Sequence, residues 1–555
     1  MWIITNKNII DDNTYKGRNY NGFSFYSNHS AKIESQWLRL DHTQNHLYNN
    51  EAKKNAKVPD LYDGNFILLR LTQDTFTIYS DPFGIKKFFY WLNGDEFIIS
   101  GDLKTITRIV DAKLSAENIA VYALTYHFIG GLTAFQNIYY NKPGEVIEFK
   151  NGKLSFSYYW DAGNLLKVEK RQISIKEITD KLITIIEKNI HDQPGKRISL
   201  SLTGGADTRN LLSVFLRLGI KPHLYTYGNP HSADCVKAKA IAHGLGLEHA
   251  IHDINMTAMQ FEEYARRIIR LGGGLASIHR VHRLMAVERE RQYAEVMFLG
   301  TLGGEFIKGV SEDDYIVPSI IYENWHRPQI STELIVDYCR RKALQTQNID
   351  LEIISDFFNR QPFFNGDVIS RKLYSLSYLT ASLHDAQDVN LYRTVMDEVY
   401  TPFLDVDYLK TVFASRFSFD NKERKKNRYL KRIENPVYAS NFLKQVYSPL
   451  LHFEYSGNHK PSEVLFNKYT AAVIKSIRTK MRKSYPPNFP LSNWMVEFVE
   501  RNLPRCRDYE VLKYIFDLDK LQKDLKNEKH LTKESYWLRF TNPIMMMFIL
   551  EEVTK

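Results

Sequence analysis

The run Arg197-Ile-Ser-Leu-Ser-Leu202, followed at once by Thr203-Gly-Gly-Ala-Asp-Thr208 and then by Leu211, Leu212, Phe215 and Leu218, constrains the fold of this chain more than any other stretch. A short apolar strand, a glycine pair and a helix apolar on one side form a strand, tight loop and helix. His223-Leu-Tyr-Thr-Tyr227 reads as a second strand, and 234–243 as a second helix. Such alternation predicts an α/β fold with a parallel sheet and crossover helices.

The loop also carries chemistry. Gly204 and Gly205 let the backbone approach a ligand, and the helix start aims N–H groups at it, so an anion is expected there. Thr203 and Thr208 add hydroxyls. Asp207 repels a phosphate, which calls for a bridging Mg²⁺. The plainer alternative is a tight turn with a helix-capping aspartate.

A chain of 555 residues with 44% hydrophobic content exceeds one core and predicts two or three domains. The first 160 residues read as β-rich: Phe66-Ile-Leu-Leu-Arg-Leu71 and Thr77-Ile-Tyr79 are apolar runs, and Asn93-Gly-Asp95 and Asn151-Gly152 are turns. Polar sequence from Asp161 to Gln172 precedes a capping box, Ser174-Ile-Lys-Glu177, and helically spaced Ile178, Leu182, Ile185 and Ile186. Domains are thus expected over 1–165 and 174–555, mostly helical beyond Gly309.

The excess of 74 Lys+Arg over 64 Asp+Glu is spread along the chain, so no nucleic-acid partner is expected; the basic stretch Lys475 to Lys483 reads as a helix surface. His249 and His252 lack spaced ligand partners and read as structural. Cys235, Cys339 and Cys506 make neither a disulfide framework nor a paired-cysteine zinc site, which fits a reducing, cytoplasmic setting. No basic region and long apolar run follow Met1, and Ile544 to Leu550 is too short to span a bilayer, so a soluble protein without a membrane partner is expected.

With Thr203 and Thr208 in the serine places, the loop resembles the Ser-Gly-Gly-x-Asp-Ser pyrophosphate loop of the ATP pyrophosphatase family. Asparagine synthetases match best, through Gly228, Ser232, Asp234, Ala238, Ala242, Leu245, Gly246 and His249. Glu398-Val-Tyr-Thr-Pro-Phe-Leu-Asp405 resembles their Glu-x-Arg-x-Pro-Phe-Leu-Asp, and the basic run Lys422 to Arg432 falls where they place a catalytic lysine. Asp81-Pro-Phe-Gly-Ile-Lys-Lys87, Ser100-Gly-Asp-Leu-Lys104, Pro143-Gly144 and Tyr159-Trp160 look like landmarks of their glutaminase domain. The resemblance implies an N-terminal Ntn-type α/β/β/α sandwich, then a Rossmann-like (adenine nucleotide α-hydrolase) parallel-sheet domain with a helical C-terminal part.

It also implies roles. ATP phosphates would lie over Ser201, Leu202, Thr203, Gly204, Gly205, Ala206, Asp207 and Thr208, with adenine near Tyr225 to Gly228, including Tyr227, and with Gly300 alongside. Asp207 and Glu305 would hold Mg²⁺, Lys426 or Lys425 would stabilise departing pyrophosphate, and Glu398 would take a proton from the attacking amine.

Two departures shape the functional expectation. Trp2 stands where the family has its nucleophilic cysteine, so glutamine hydrolysis is not expected. A similar loss marks β-lactam synthetase and the lasso-peptide macrolactam synthetases, in which a substrate amine attacks the adenylate. In Gly300-Thr-Leu-Gly-Gly-Glu-Phe306, Gly304 replaces the second metal-binding aspartate, and Thr301 replaces the tyrosine of lactam-forming relatives, which disfavours β-lactam synthesis. The implied activity is an ATP-dependent ligase that adenylates a small-molecule or peptide carboxylate and transfers it to an amine or ammonia. The alternatives are an ammonia-using asparagine synthase and a degenerate nucleotide- or partner-binding homologue; a homodimer is left open.

Overall fold

A computed structural model describes residues 2–7, 16–27, 37–40, 64–308, 319–324, 327, 329–421, 428–481, 485–489, 491–528 and 534–554. The chain is a mixed α/β protein with two antiparallel sheets near the N-terminus and one parallel sheet after them.

Eleven strands form the antiparallel part: β1 (Trp2–Thr5), β2 (Lys16–Tyr20), β3 (Phe23–Ser27), β4 (Trp37–Arg39), β5 (Ile67–Leu71), β6 (Phe76–Ser80), β7 (Phe89–Asn93), β8 (Glu96–Ser100), β9 (Ile138–Tyr140), β10 (Glu145–Lys150) and β11 (Lys153–Tyr158). They pair in the orders β2-β3-β1-β8-β7-β9 and β11-β10-β6-β5-β4. Asn151 and Gly152 both take positive φ (53° and 75°) between paired Lys150 and Lys153, the two-residue turn that joins twisted strands without splaying them.

Alternation along the strands separates two cores. Ile4, Tyr90 and Ile99 face Leu69, Ile78 and Ile147 between the sheets. Their neighbours Ile3, Phe89 and Ile98 face the other way, onto the helices Leu103–Ile109 and Ala116–Thr125. The layers are therefore helix, sheet and sheet. Among the described residues the outer face of the second sheet carries a small cluster, Phe66, Leu68, Tyr79 and Val146, where a four-layer sandwich would place helices.

The expected capping box forms: Ser174 and Glu177 each accept from the other's backbone N–H, opening the helix Ile175–His191. Next come β12 (Ile198–Ser201), β13 (His223–Tyr227), β14 (His249–His252), β15 (Val296–Phe298) and β16 (Glu398–Tyr400), all parallel, ordered β14-β13-β12-β15-β16. The order of strands along the chain reverses between β12 and β15. The chain therefore leaves these two neighbours in opposite directions, and a crevice opens at their carboxyl ends.

One continuous core joins both parts, running from Ile106 and Ile119 through Leu200 and Phe298 to Trp537 and Met546. The helix Glu534–Val553 returns to the N-terminal helices, where Thr107 Oγ1 donates to Val553 O at 2.6 Å. Among the described residues no helix is long and apolar enough to cross a membrane. The three cysteines are buried and free.

Candidate functional site

Thr203 to Ala206 cross the carboxyl end of β12, the central strand, directly at the crevice, and the helix Asp207–Arg217 starts there. The loop is held by its own side chains: Thr203 N–H donates to Thr208 Oγ1 at 3.3 Å and Gly205 N–H to Thr203 Oγ1 at 3.1 Å. Helices Ile175–His191, Ala233–Leu245 and Ala258–Leu271 are capped by Ser174, Ser232 and Thr257, whereas this helix begins at Ala206 with no side-chain cap. An uncapped start leaves the positive end of the helix dipole turned towards the crevice, an arrangement suited to an anion.

The loop after β15 passes close to this start. A Cβ on Gly300 would lie 2.9 Å from Thr208 Cγ2, and one on Gly303 would lie 2.8 Å from Asp207 Cβ, so only glycine fits at either position. Glu305 follows, and its carboxylate accepts from Gly304 N–H at 3.3 Å. Gly300, Asp207 and Glu305 are thus carried by two adjoining segments. Among the described residues no group of three or more His, Cys, Asp or Glu side chains could hold a metal. Two carboxylates still suit a Mg²⁺ ion that arrives with phosphates, because such ions are commonly held by one or two carboxylates plus phosphate oxygens and water.

Two distant segments cover the crevice. Ser456 N–H donates to Gly204 O at 2.8 Å, and a Cβ on Gly204 would collide with Ser456 Oγ. Gly228 has φ +121°, and a Cβ there would lie 2.9 Å from Asn488 O and 3.0 Å from the Phe489 ring, which stacks on Tyr227 at 5.7 Å. Asp234 ties both segments to the loop: it accepts from Gly204 N–H (3.2 Å), Ser456 Oγ–H (3.1 Å) and Asn488 Nδ2–H (3.0 Å). Beneath them, buried Arg209 donates to the carbonyls of Phe453 (2.7 Å) and Glu454 (2.9 Å) and stacks on Tyr455, and burial pushes its guanidinium down to about 10.

A charged cluster lies beside Tyr227. Arg280 and Arg283 both pair with Asp388, and Arg280 Nε also donates to Gln387 Oε1 at 2.7 Å. Although burial opposes ionisation, the two guanidinium groups hold Asp388 below the usual carboxylate range. Asp385, three residues earlier, has no such clamp. Burial, reinforced by the charges of Asp388 and Glu305, pushes it up to about 7. It keeps part of its surface accessible, as do Arg283, Tyr227 and Glu305. Ser375–Asp385 is wound as a π-helix, a widened helix that re-aims side chains and recurs at functional sites.

The placement of the expected residues is mixed. Ser201 to Thr208, Tyr227, Gly228, Gly300, Asp207 and Glu305 gather at the carboxyl edge of the sheet. Glu398 does not, and this corrects the expectation. It pairs in register with Val296, which is level with Ile198, three residues before the end of β12. Three residues of strand put it about 10 Å from the edge, where its carboxylate pairs with Arg393 and accepts from Val399 N–H. Lys425 and Lys426 lie outside the described residues. Trp2 is a core side chain packed against Gly101 and Phe88. His252 and His223 both bond to buried Glu290, and His249 bonds to Thr226, which are structural roles. Arg478 of the basic stretch is paired with Glu454 and Glu463. Asp385, Asp388, Arg280 and Arg283 were missed by reading the sequence; the signal was a pair of acids three residues apart in a segment, 375–392, that holds no other acid and no Lys or Arg. Neither a protein-family model nor a curated protein matches this chain.

Proposed function

We propose that the chain is an ATP-dependent amide-forming ligase that converts a carboxylate to an acyl-adenylate and passes the acyl group to an amine or ammonia, without hydrolysing glutamine. The observation that carries this reading is the uncapped helix start behind Gly204-Gly205, set where the order of the parallel strands reverses. This is the position at which open parallel sheets bind nucleotides. An Ntn-like sandwich joined to a Rossmann-like domain is the finer form of the fold that goes with this reading.

In the first step a carboxylate oxygen attacks the α-phosphorus of ATP and pyrophosphate leaves. The N–H groups of the helix start and the hydroxyls of Thr203 and Thr208 are placed to take the charge that gathers on the leaving group. Mg²⁺ held by Asp207 and Glu305 would neutralise phosphate charge. Lys425 or Lys426 remains the proposed lysine for the same task. In the second step the amine nitrogen attacks the acyl carbon, AMP leaves and the amine gives up a proton. Glu398, paired with Arg393 away from the edge, is poorly placed to receive it. Asp385 is better suited, because it is partly accessible, feels the charge of Glu305 and has an affinity for a proton matched to neutral pH. Arg283, paired with Asp388 and with 31% of its side chain accessible, would orient the substrate carboxylate.

A second reading, a nucleotide-binding remnant, is favoured by one observation: Asp234 already accepts the Gly204 N–H that a phosphate would use. Incubation with Mg-ATP, hydroxylamine and a panel of carboxylic acids separates the two. Hydroxamate formed together with AMP supports the ligase, and aspartate as the preferred acid would select asparagine synthesis. ADP as the nucleotide product, or no turnover with any acid, contradicts it.

A further inference from the structure

A cavity of about 140 Å³ lies between the antiparallel sandwich and the helical segment 375–392, away from the crevice. Its walls are polar and apolar in about equal parts, the apolar part made by Phe89 and Phe128 from one side and Leu271, Leu275 and Leu383 from the other. A cavity of roughly 150 Å³ has room for a benzene-sized molecule. Ser382 and Leu383 also line a second cavity of about 280 Å³, which Lys142 and Arg360 border.

The polar groups around the first cavity have bonding capacity left over, and most of what remains is donors. Lys87 Nζ sits 4.8 Å over the Tyr140 ring and donates to Ser382 Oγ at 3.0 Å, which leaves further ammonium protons and the Ser382 hydroxyl proton. Gln387 Oε1 accepts from Ser277 N–H and Arg280 Nε, so its amide nitrogen must be the donor to His127 Nδ1 at 3.3 Å. His127 then carries its proton on Nε2, as another donor, and burial keeps the ring neutral. Both protons of Asn390 Nδ2 go to the carbonyls of Ile85 and Ala386. Asp102 at the rim caps the helix Leu103–Ile109 by accepting from Thr105. Apolar side chains on part of the wall, beside a cation, a hydroxyl and an imidazole N–H, match an anionic head on a compact apolar body.

We propose that this cavity binds a small carboxylic acid, with its carboxylate on Lys87 Nζ and Ser382 Oγ and its apolar body among Phe89, Phe128, Leu275 and Leu383. The site is independent of the nucleotide reading. The ligand would bridge the sandwich and the helix that bears Asp385 and Asp388. Burial pushes the Lys87 ammonium down to about 7 against the pull of Asp81 and Glu145. Lys86, Asp102 and His127 on its own side, and His384 across the cavity, are the other titratable groups around it. A carboxylate binds the ammonium form, so binding takes up a proton, and affinity falls as pH rises past 7.

Calorimetric titration of the full chain with sodium benzoate tests this, with benzamide as the neutral control. The expected result is saturable benzoate binding at pH 6.5, at least tenfold weaker at pH 8.5, no benzamide binding, and at least tenfold weaker binding by Lys87→Met. If Lys87→Met does not fold, the pH series on the unaltered chain decides alone. Absent benzoate binding, equal binding of benzamide, or benzoate affinity unchanged across this pH range overturns the proposal.

Discussion

Asp385 is the residue on which the proposed second step turns, and its behaviour follows from burial without a cation of its own. Asp388 is paired directly with two arginines, whereas on Asp385 burial and the charges of Asp388 and Glu305 outweigh the more distant pull of Arg280 and Arg283. A carboxyl raised to about 7 stays protonated in the fold between the unfolded value of about 3.9 and 7, so its contribution to stability is present below pH 4 and is lost as pH rises through 7. Asp385→Asn should therefore raise stability at pH 8 by on the order of 1–3 kcal/mol and leave it unchanged at pH 4, as read by urea denaturation. The same variant should keep adenylation and lose most amide formation; equal loss of both would assign Asp385 to structure alone. Glu398 shows the limit of a motif at this scale. Spacing before Pro-Phe-Leu-Asp identifies the residue but not its level along a strand, and pairing with Val296 puts it at the wrong end.

The strand, loop and helix at 198–217 were legible in the sequence because everything that makes them is local: an apolar strand, two glycines and one apolar helix side. Their covering was not. Ser456 and Asn488 reach the loop from more than 250 residues away, and nothing in their neighbours' spacing points to Gly204 or Gly228. The glycines were read as room for a ligand, and here that room is also what lets the chain's own segments approach. Asp234 holds both segments with charge-assisted hydrogen bonds, and one carboxylate does the work of two anchors. Asp234→Ala should free them together. Hydrogen exchange in 453–459 and 485–489 is expected to quicken by about tenfold or more, with the helix Ile175–His191 unchanged as an internal control. Quickening of one segment alone would show that Asp234 does not couple them.

At the scale of the whole molecule, the boundary expected between 165 and 174 is a boundary in sequence more than in packing. The β-rich character of the N-terminal part was legible from apolar runs and Asn-Gly turns, but its helices Leu103–Ile109 and Ala116–Thr125 were not, and they share their core with the C-terminal helix. Residues 1–165 alone would expose Ile106, Ile119 and Tyr122, which that helix and its neighbours bury. They are expected to be unfolded or aggregated by circular dichroism and size-exclusion chromatography, whereas the full chain should melt in one transition; a monomeric, folded fragment would count against the shared core. The larger claim is that this body presents one crevice to a nucleotide, with Asp207 at the start of its uncapped helix. Exchange of labelled pyrophosphate into ATP, driven by a carboxylate that yields hydroxamate, measures that claim most directly. The account predicts exchange by the unaltered chain and a loss of at least a hundredfold in a folded Asp207→Ala variant; exchange that persists unchanged in that variant would contradict it.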